Sequence, residues 1–163
     1  MRRADLTGPA RSSTPPILHP DGTPAHGSVA ALEHITLGES HQWVLLRGHS
    51  STNPVVLFLS GGLDGSDITT IRRLLGEIEA QATVVTWDSR GAGKSLFAGF
   101  PRGTMTVRQL TADALELVAH LRKRFGQKRI VLVGHSLGTV VAVRMVQERP
   151  EWFSAYVSLG QLV

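Results

Sequence analysis

The rhythm of apolar and polar positions changes near residue 55. Before it, Val29 to Leu37 and Gln42 to Arg47 are two short β-prone runs joined by Gly38-Glu39-Ser40, the pattern of an antiparallel hairpin. After it, unbroken apolar runs alternate with stretches in which apolar residues recur at helical spacing. Val55-Val56-Leu57-Phe58-Leu59 predicts a strand buried on both faces, as in a parallel sheet. Ser60 to Gly65 is a glycine-rich loop, and Ile68, Ile71, Leu74, Leu75 and Ile78 then predict a helix. Thr83 to Trp87 predicts a second buried strand ending at Asp88, followed by a polar, glycine-rich loop to Thr104. Thr106-Val107-Arg108-Gln109 reads as a capping box for a helix with the stripe Val107, Leu110, Ala114, Leu117, Val118 and Leu121, ended by Gly126. Ile130 to Val133 predicts a third buried strand. The helix after it, Leu137 to Arg149, is apolar nearly all round and is expected to be buried; Pro150 ends it, and Phe153 to Leu159 reads as a further strand.

Strands alternating with helices at this spacing, preceded by a hairpin, predict an α/β fold with an open, doubly wound, mostly parallel sheet. Residues 1–27 are rich in Pro, Ser, Thr and Gly and are expected to form a loose tail that packs little. Residues 28–163 form one domain, and a chain of this length buries about 70% of its unfolded surface.

Composition narrows the picture only slightly. Of 163 residues 42% are apolar and 18% charged, which is ordinary for a globular domain. Seventeen Lys and Arg against thirteen Asp and Glu give +4, but the basic residues are scattered except at Arg122-Lys123-Arg124 and Lys128-Arg129. Those clusters fall at a helix end, where they complement its dipole, so no nucleic-acid partner is expected. No apolar run approaches the roughly 20 residues of a membrane span, and Met1-Arg2-Arg3 has no apolar segment behind it. The expectation is a cytoplasmic protein without a membrane partner. With no cysteine, disulfides and thiolate chemistry are excluded.

The chemistry concentrates at Gly134-His135-Ser136-Leu137-Gly138, a G-x-S-x-G pattern between a predicted strand and a predicted helix. The sharp turn strains Ser136 and lifts its hydroxyl off the sheet, while glycines allow strand and helix to approach. A serine nucleophile needs donors for the oxyanion and a base for its proton. The donors can be placed: the Leu137 N–H at the helix start, and a second N–H from the loop after the first central strand, at Gly62. The base cannot. After Ser136 the acids are Glu148 and Glu151, and a helix puts Glu148 about 18 Å away. No histidine follows Ser136. His135 adjoins it and is read as a packing residue; His120 is read as solvent-facing; His34, His41 and His49 belong to the hairpin region, and His19 and His26 to the tail. Gly91-Ala92-Gly93-Lys94-Ser95 resembles a phosphate loop, but Asp88 stands where that pattern needs glycine, and Leu96 where a dinucleotide fingerprint does. It is read as a tight strand-end loop anchored by Asp88 or Arg90. Core or sheet packing accounts for Trp43, Trp87 and Trp152. No cofactor and no metal are called for.

Three stretches in this order, Val55–Gly65, Val84–Ser95 and Ile130–Gly138, resemble the α/β-hydrolase superfamily, and within it the proline-iminopeptidase-like serine hydrolases. The resemblance runs from about Val29 to Val163. It implies that Ser136 is the nucleophile of an acyl-enzyme mechanism and that Gly62 and Leu137 supply the oxyanion hole. It further implies a small-molecule or peptide substrate. Asp88-Ser89-Arg90-Gly91 matches the family's D-x-R-G turn and is read as structural. Ser60-Gly61-Gly62-Leu63 stands where the family usually has His-Gly-Gly-Pro. By the same resemblance the chain is the amino-terminal half of a hydrolase, with the cap, the acid and the histidine beyond Val163. The last strand is then an exposed apolar edge prone to self-association. A non-catalytic hydrolase-like binding module, or an inactive remnant, is the alternative.

Overall fold

The computed structural model describes residues 13–61, 65–97 and 100–162. Six strands form one sheet: β1 (Val29–Leu37), β2 (Ser40–Gly48), β3 (Val55–Leu59), β4 (Thr83–Asp88), β5 (Ile130–His135) and β6 (Phe153–Leu159). Their order is β1-β2-β4-β3-β5-β6. β1 and β2 form the expected antiparallel hairpin, β2 runs antiparallel to β4, and β4, β3, β5 and β6 are mutually parallel. Among the described residues three α-helices accompany the sheet: α1 (Ile68–Leu74), α2 (Val107–Phe125) and α3 (Leu137–Glu148). The chain steps from β3 to β4 on one side and then back across β3 to β5. β3 is therefore the point where the winding reverses, and sites in such sheets open at the carboxyl ends of the strands beside that point.

The apolar runs become central strands because both of their faces are covered. Leu57, Val85 and Leu132 are fully buried and stack across β3, β4 and β5 with Ala114, Leu117, Val118 and Leu121 of α2. α2 begins where the sequence predicts. Thr106 Oγ1 accepts the Gln109 N–H at 3.1 Å, while the Gln109 side chain turns to Asp113 instead of closing a reciprocal box. Gly126 ends the helix in the left-handed conformation, φ 64°.

Three expectations need correction. The helix expected to run from Ile68 to Ile78 stops at Leu74, which is 69% exposed, and a 3-10 turn follows over Gly76–Ala80. A tertiary ion pair takes over there: Arg47 Nε donates to both carboxylate oxygens of Glu79 at 3.0 Å, and both side chains are buried. Second, α3 is buried on one face only; Val141, Ala142 and Met145 are inside, whereas Val140, Val143 and Val146 remain half-buried. Third, residues 13–27 are docked, not loose. Arg47 Nη1 donates to Thr14 Oγ1 and to the Pro15 carbonyl, each at 2.7 Å, and Ile17 and Ala25 are buried. A guanidinium with donors to spare fixes a segment whose composition alone predicts little packing.

β6 lies at the edge of the sheet. Val157, Leu159 and Leu162 are 45%, 45% and 46% exposed. Among the described residues no helix is long and apolar enough to cross a membrane.

Candidate active site

β5 hands over to α3 at Ser136, where the backbone takes φ 51° and ψ −120°. Among the described residues, only Glu39 and Ser136 have positive φ without being glycine. Glu39 sits in the β1–β2 turn, where positive φ is usual. Ser136 sits between a strand and a helix, where such a backbone costs about 1–3 kcal/mol and persists only if its surroundings enforce it. They do. The Ser136 N–H donates to the Leu159 carbonyl at 2.9 Å. The Ser136 carbonyl accepts from Thr139 Oγ1 at 2.6 Å and from the Thr139 N–H at 2.9 Å. Thr139 Oγ1 in turn accepts the Leu162 N–H at 3.1 Å.

The glycines of the motif are there because nothing larger fits. A β-carbon on Gly138 would lie 2.8 Å from the Leu59 carbonyl carbon and from Ser60 O, and closer still to Leu59 O. One on Gly134 would lie 3.0 Å from Gly138 O and from Thr139 Cα. β3, β5 and the first turn of α3 therefore touch backbone to backbone beneath the serine.

The loop after β3 reaches the same spot. A β-carbon on Gly61 would lie 2.7 Å from Ser136 Cβ and 2.9 Å from the His135 carbonyl. Gly62, the expected second oxyanion donor, lies outside the described residues. Leu137 is the first residue of α3, where an N–H has no acceptor within the helix and the dipole is positive. A cavity of about 20 Å³, bounded by Leu59, Ser60, Trp87, Leu137 and Gly138 among others, lies below and has room for one water. On the far side of the loop Ser60 Oγ donates to Asp67 Oδ2, tying its two ends together.

The D-x-R-G turn is structural, as expected, but Asp88 and Arg90 anchor different partners. Asp88 is buried; its Oδ2 accepts the Lys94 N–H at 2.8 Å and its Oδ1 has no partner. Burial pushes its carboxyl above the ordinary range, against the pull of the Lys94 N–H and the Ser66 hydroxyl. Arg90 is paired with Asp113 of α2 through Nε at 2.8 Å and Nη2 at 3.1 Å, and Nη2 also donates to the Gly38 carbonyl at 2.7 Å. The phosphate-loop lookalike is likewise occupied with the fold: Ser95 Oγ donates to the Asp88 carbonyl at 2.6 Å and accepts the Trp43 N–H at 2.8 Å.

Thr139 and Asp113 escape the sequence reading. Thr139 carries a signal after the fact, a hydroxyl three residues past Ser136 in the otherwise apolar first half of α3. Asp113 has only its place on the apolar stripe side of α2.

No base joins the serine among the described residues. His135 is exposed and not the buried packing residue expected, although its Nδ1 lies against the loop after β3, 3.0 Å from where a β-carbon on Gly61 would sit. His34 and His41 lie on β1 and β2, about 14–19 Å across the sheet from β5. His120 is exposed on α2, and Glu148 closes α3 at the far end from Ser136.

A strained serine at a strand-to-helix corner, at the reversal point of a doubly wound sheet that starts with an antiparallel hairpin, is the architecture of an α/β hydrolase. Residues 54–162 match the family defined by the alpha/beta hydrolase fold, and the chain belongs to it. It is similar to the probable aminopeptidase YbaC of Bacillus subtilis, 31% identical over 140 residues that cover 86% of this chain and 44% of that one. It is also similar to the lysophosphatidylserine lipase ABHD12 of Danio rerio, 36% identical over 62% of this chain and 25% of the relative. Among solved structures it superposes on a proline iminopeptidase-related protein of Thermus thermophilus with TM-score 0.67 and 26% identity, covering 80% of this chain and 44% of the other. The chain thus spans less than half the length of the relatives it matches, and the resemblance to the proline-iminopeptidase-like branch holds.

Proposed function

We propose that this chain carries the nucleophile and oxyanion hole of a serine hydrolase of the peptidase or esterase kind. Ser136 is the nucleophile, and the N–H groups of Leu137 and Gly62 receive the oxyanion. In the first step Ser136 Oγ attacks the substrate carbonyl carbon and loses its proton to a base. The tetrahedral oxyanion collapses, the protonated leaving group departs, and water then releases the acyl group by the same route. Among the described residues none stands as the base or its acid partner. The substrate is a small molecule or short peptide. The reading needs no cofactor, nucleic acid or membrane, and it assigns the protein to the cytoplasm.

The observation that carries it is the Ser136 backbone, held at φ 51° by Thr139, Leu159 and the glycine contacts. A serine that only packed would have no use for such a conformation. The test is chemical rescue. A fluorophosphonate probe should label the 163-residue chain at a background rate. Free imidazole, standing in for the absent base, should raise labelling at Ser136, and the rise should vanish in Ser136→Ala. Rescue of equal size in Ser136→Ala, or none at all in a folded chain, overturns the assignment.

A further inference from the structure

Far from the elbow, the hairpin gathers two imidazoles that neither the fold nor the proposed reaction uses. The register pairs His34 with Trp43 and Thr36 with His41. All four side chains therefore share one face of the hairpin, with His34 and His41 as diagonal cross-strand neighbours. Both histidines are exposed. Their ring centroids are 5.0 Å apart with planes at 61°. The edge of Trp43 rests against His34, centroid to centroid 5.6 Å, and Lys94 Nζ lies 4.9 Å over the Trp43 ring.

We propose that His34 and His41 form a two-imidazole site for a borderline transition-metal dication such as Zn²⁺ or Cu²⁺, clipping β1 to β2. The spacing decides in its favour. Imidazole nitrogen binds such a metal at about 2.0–2.1 Å, which puts each ring centroid about 3.2 Å from the ion. Ligand angles between square and tetrahedral then require centroids about 4.5–5.2 Å apart, and 5.0 Å falls inside that span. The second feature is Thr36. His41 Nδ1 and Thr36 Oγ1 are hydrogen-bonded at 3.1 Å. When Nδ1 donates there, the Nε2 lone pair is free, the arrangement in which a neighbour fixes the tautomer of a metal-binding histidine. A strand pair also holds both rings before the metal arrives, so little ordering is lost on binding.

Among the described residues no cluster of three or more His, Asp or Glu is placed to hold a metal. The site is therefore open, completed by water, and of moderate affinity. Lys94 is the nearby cation and weakens it; nothing acidic among the groups named here offsets that charge.

The test uses the tag-free 163-residue chain and the metal salts alone. Titration calorimetry with Zn²⁺ and quenching of tryptophan fluorescence by Cu²⁺ should each report one equivalent that His34→Ala and His41→Ala both abolish. Thr36→Val should weaken binding by about tenfold, the low end for loss of a metal-site neighbour. His120→Ala and His135→Ala, which remove exposed imidazoles elsewhere, should change nothing. These are surface substitutions, and circular dichroism checks that each variant is folded. Binding that survives either His34→Ala or His41→Ala, or no saturable binding by the parent chain, overturns the proposal.

Discussion

Replacing Gly138 by alanine tests the central packing claim directly. The added methyl would lie 2.8 Å from the Leu59 carbonyl carbon and from Ser60 O. Ordinary contact between such atoms is about 3.5 Å or more, so the start of α3 must retreat from β3 by well over half an ångström. Neither neighbour can turn away, because both are backbone of the central strand and its exit. Overpacking costs typically about 1–3 kcal/mol, and a backbone obstacle places Gly138→Ala at the upper end. Two glycines calibrate the scale. Gly126→Ala meets nothing within 4 Å but must hold φ at +64°, a strain of about 1–2 kcal/mol. Gly103→Ala meets open space with no such restriction and should be neutral, or stabilising by a few tenths of a kcal/mol. Urea unfolding followed by circular dichroism should therefore rank the losses Gly138 first, Gly126 second and Gly103 last, with unchanged m-values. If Gly138→Ala loses no more than Gly126→Ala, strand and helix are not in contact and the account of the elbow is wrong.

Asp113→Ala should cost about 3–5 kcal/mol, read as a shift in urea midpoint, because Arg90 would be left buried without its partner; Asp113→Asn should cost less. Asp88 gives a pH signature. Its carboxyl is raised by burial, so the stability it allows is fully present below the unfolded value of 3.8 and is lost as pH rises through the higher folded value. Asp88→Asn removes that loss, and its stability relative to the parent chain should therefore improve as pH rises above the unfolded value of 3.8; a constant difference would contradict the buried-carboxyl assignment. At the sheet edge, β6 exposes Val157 and Leu159, and we expect concentration-dependent association in sedimentation velocity that Val157→Lys reduces. Association unaffected by that charge would point to another surface.

The parallel strands and the elbow were legible because each is written locally. A five-residue apolar run such as Val55–Leu59 has few alternatives to a buried strand, and G-x-S-x-G between strand and helix fixes a turn through the steric limits of three alternate positions, Gly134, Ser136 and Gly138. What was not legible depends on distant partners. The helix after β3 ends early because Glu79 is drawn to Arg47, 32 residues away in sequence. The 13–27 segment docks because the same arginine reaches Thr14 and Pro15. Periodicity carries no trace of either contact. His135 misled for a simpler reason. Its place in the motif is local, but its burial depends on what covers the end of β5.

The elbow also explains how strain is kept in a site built from so short a stretch. Three supports meet at Ser136, and they are of different kinds. The glycine contacts with β3 act through exclusion and fix where the corner lies. The Thr139 hydroxyl, bonded to the Ser136 carbonyl, fixes the peptide on the helix side. The Leu159 carbonyl, accepting the Ser136 N–H, fixes it on the strand side. Thr139 also holds the Leu162 N–H, so the stretch that follows β6 and the start of α3 are tied to each other as well as to the serine. Loss of one support leaves the backbone with two, so the geometry should degrade in steps. Thr139→Val keeps the shape of the side chain but removes the hydroxyl from two bonds. It should cost about 1–3 kcal/mol in urea unfolding and depress imidazole-rescued labelling of Ser136 further than that loss of folded protein explains. Labelling that falls only in proportion to the folded fraction would mean that Thr139 supports the fold and not the conformation of the serine.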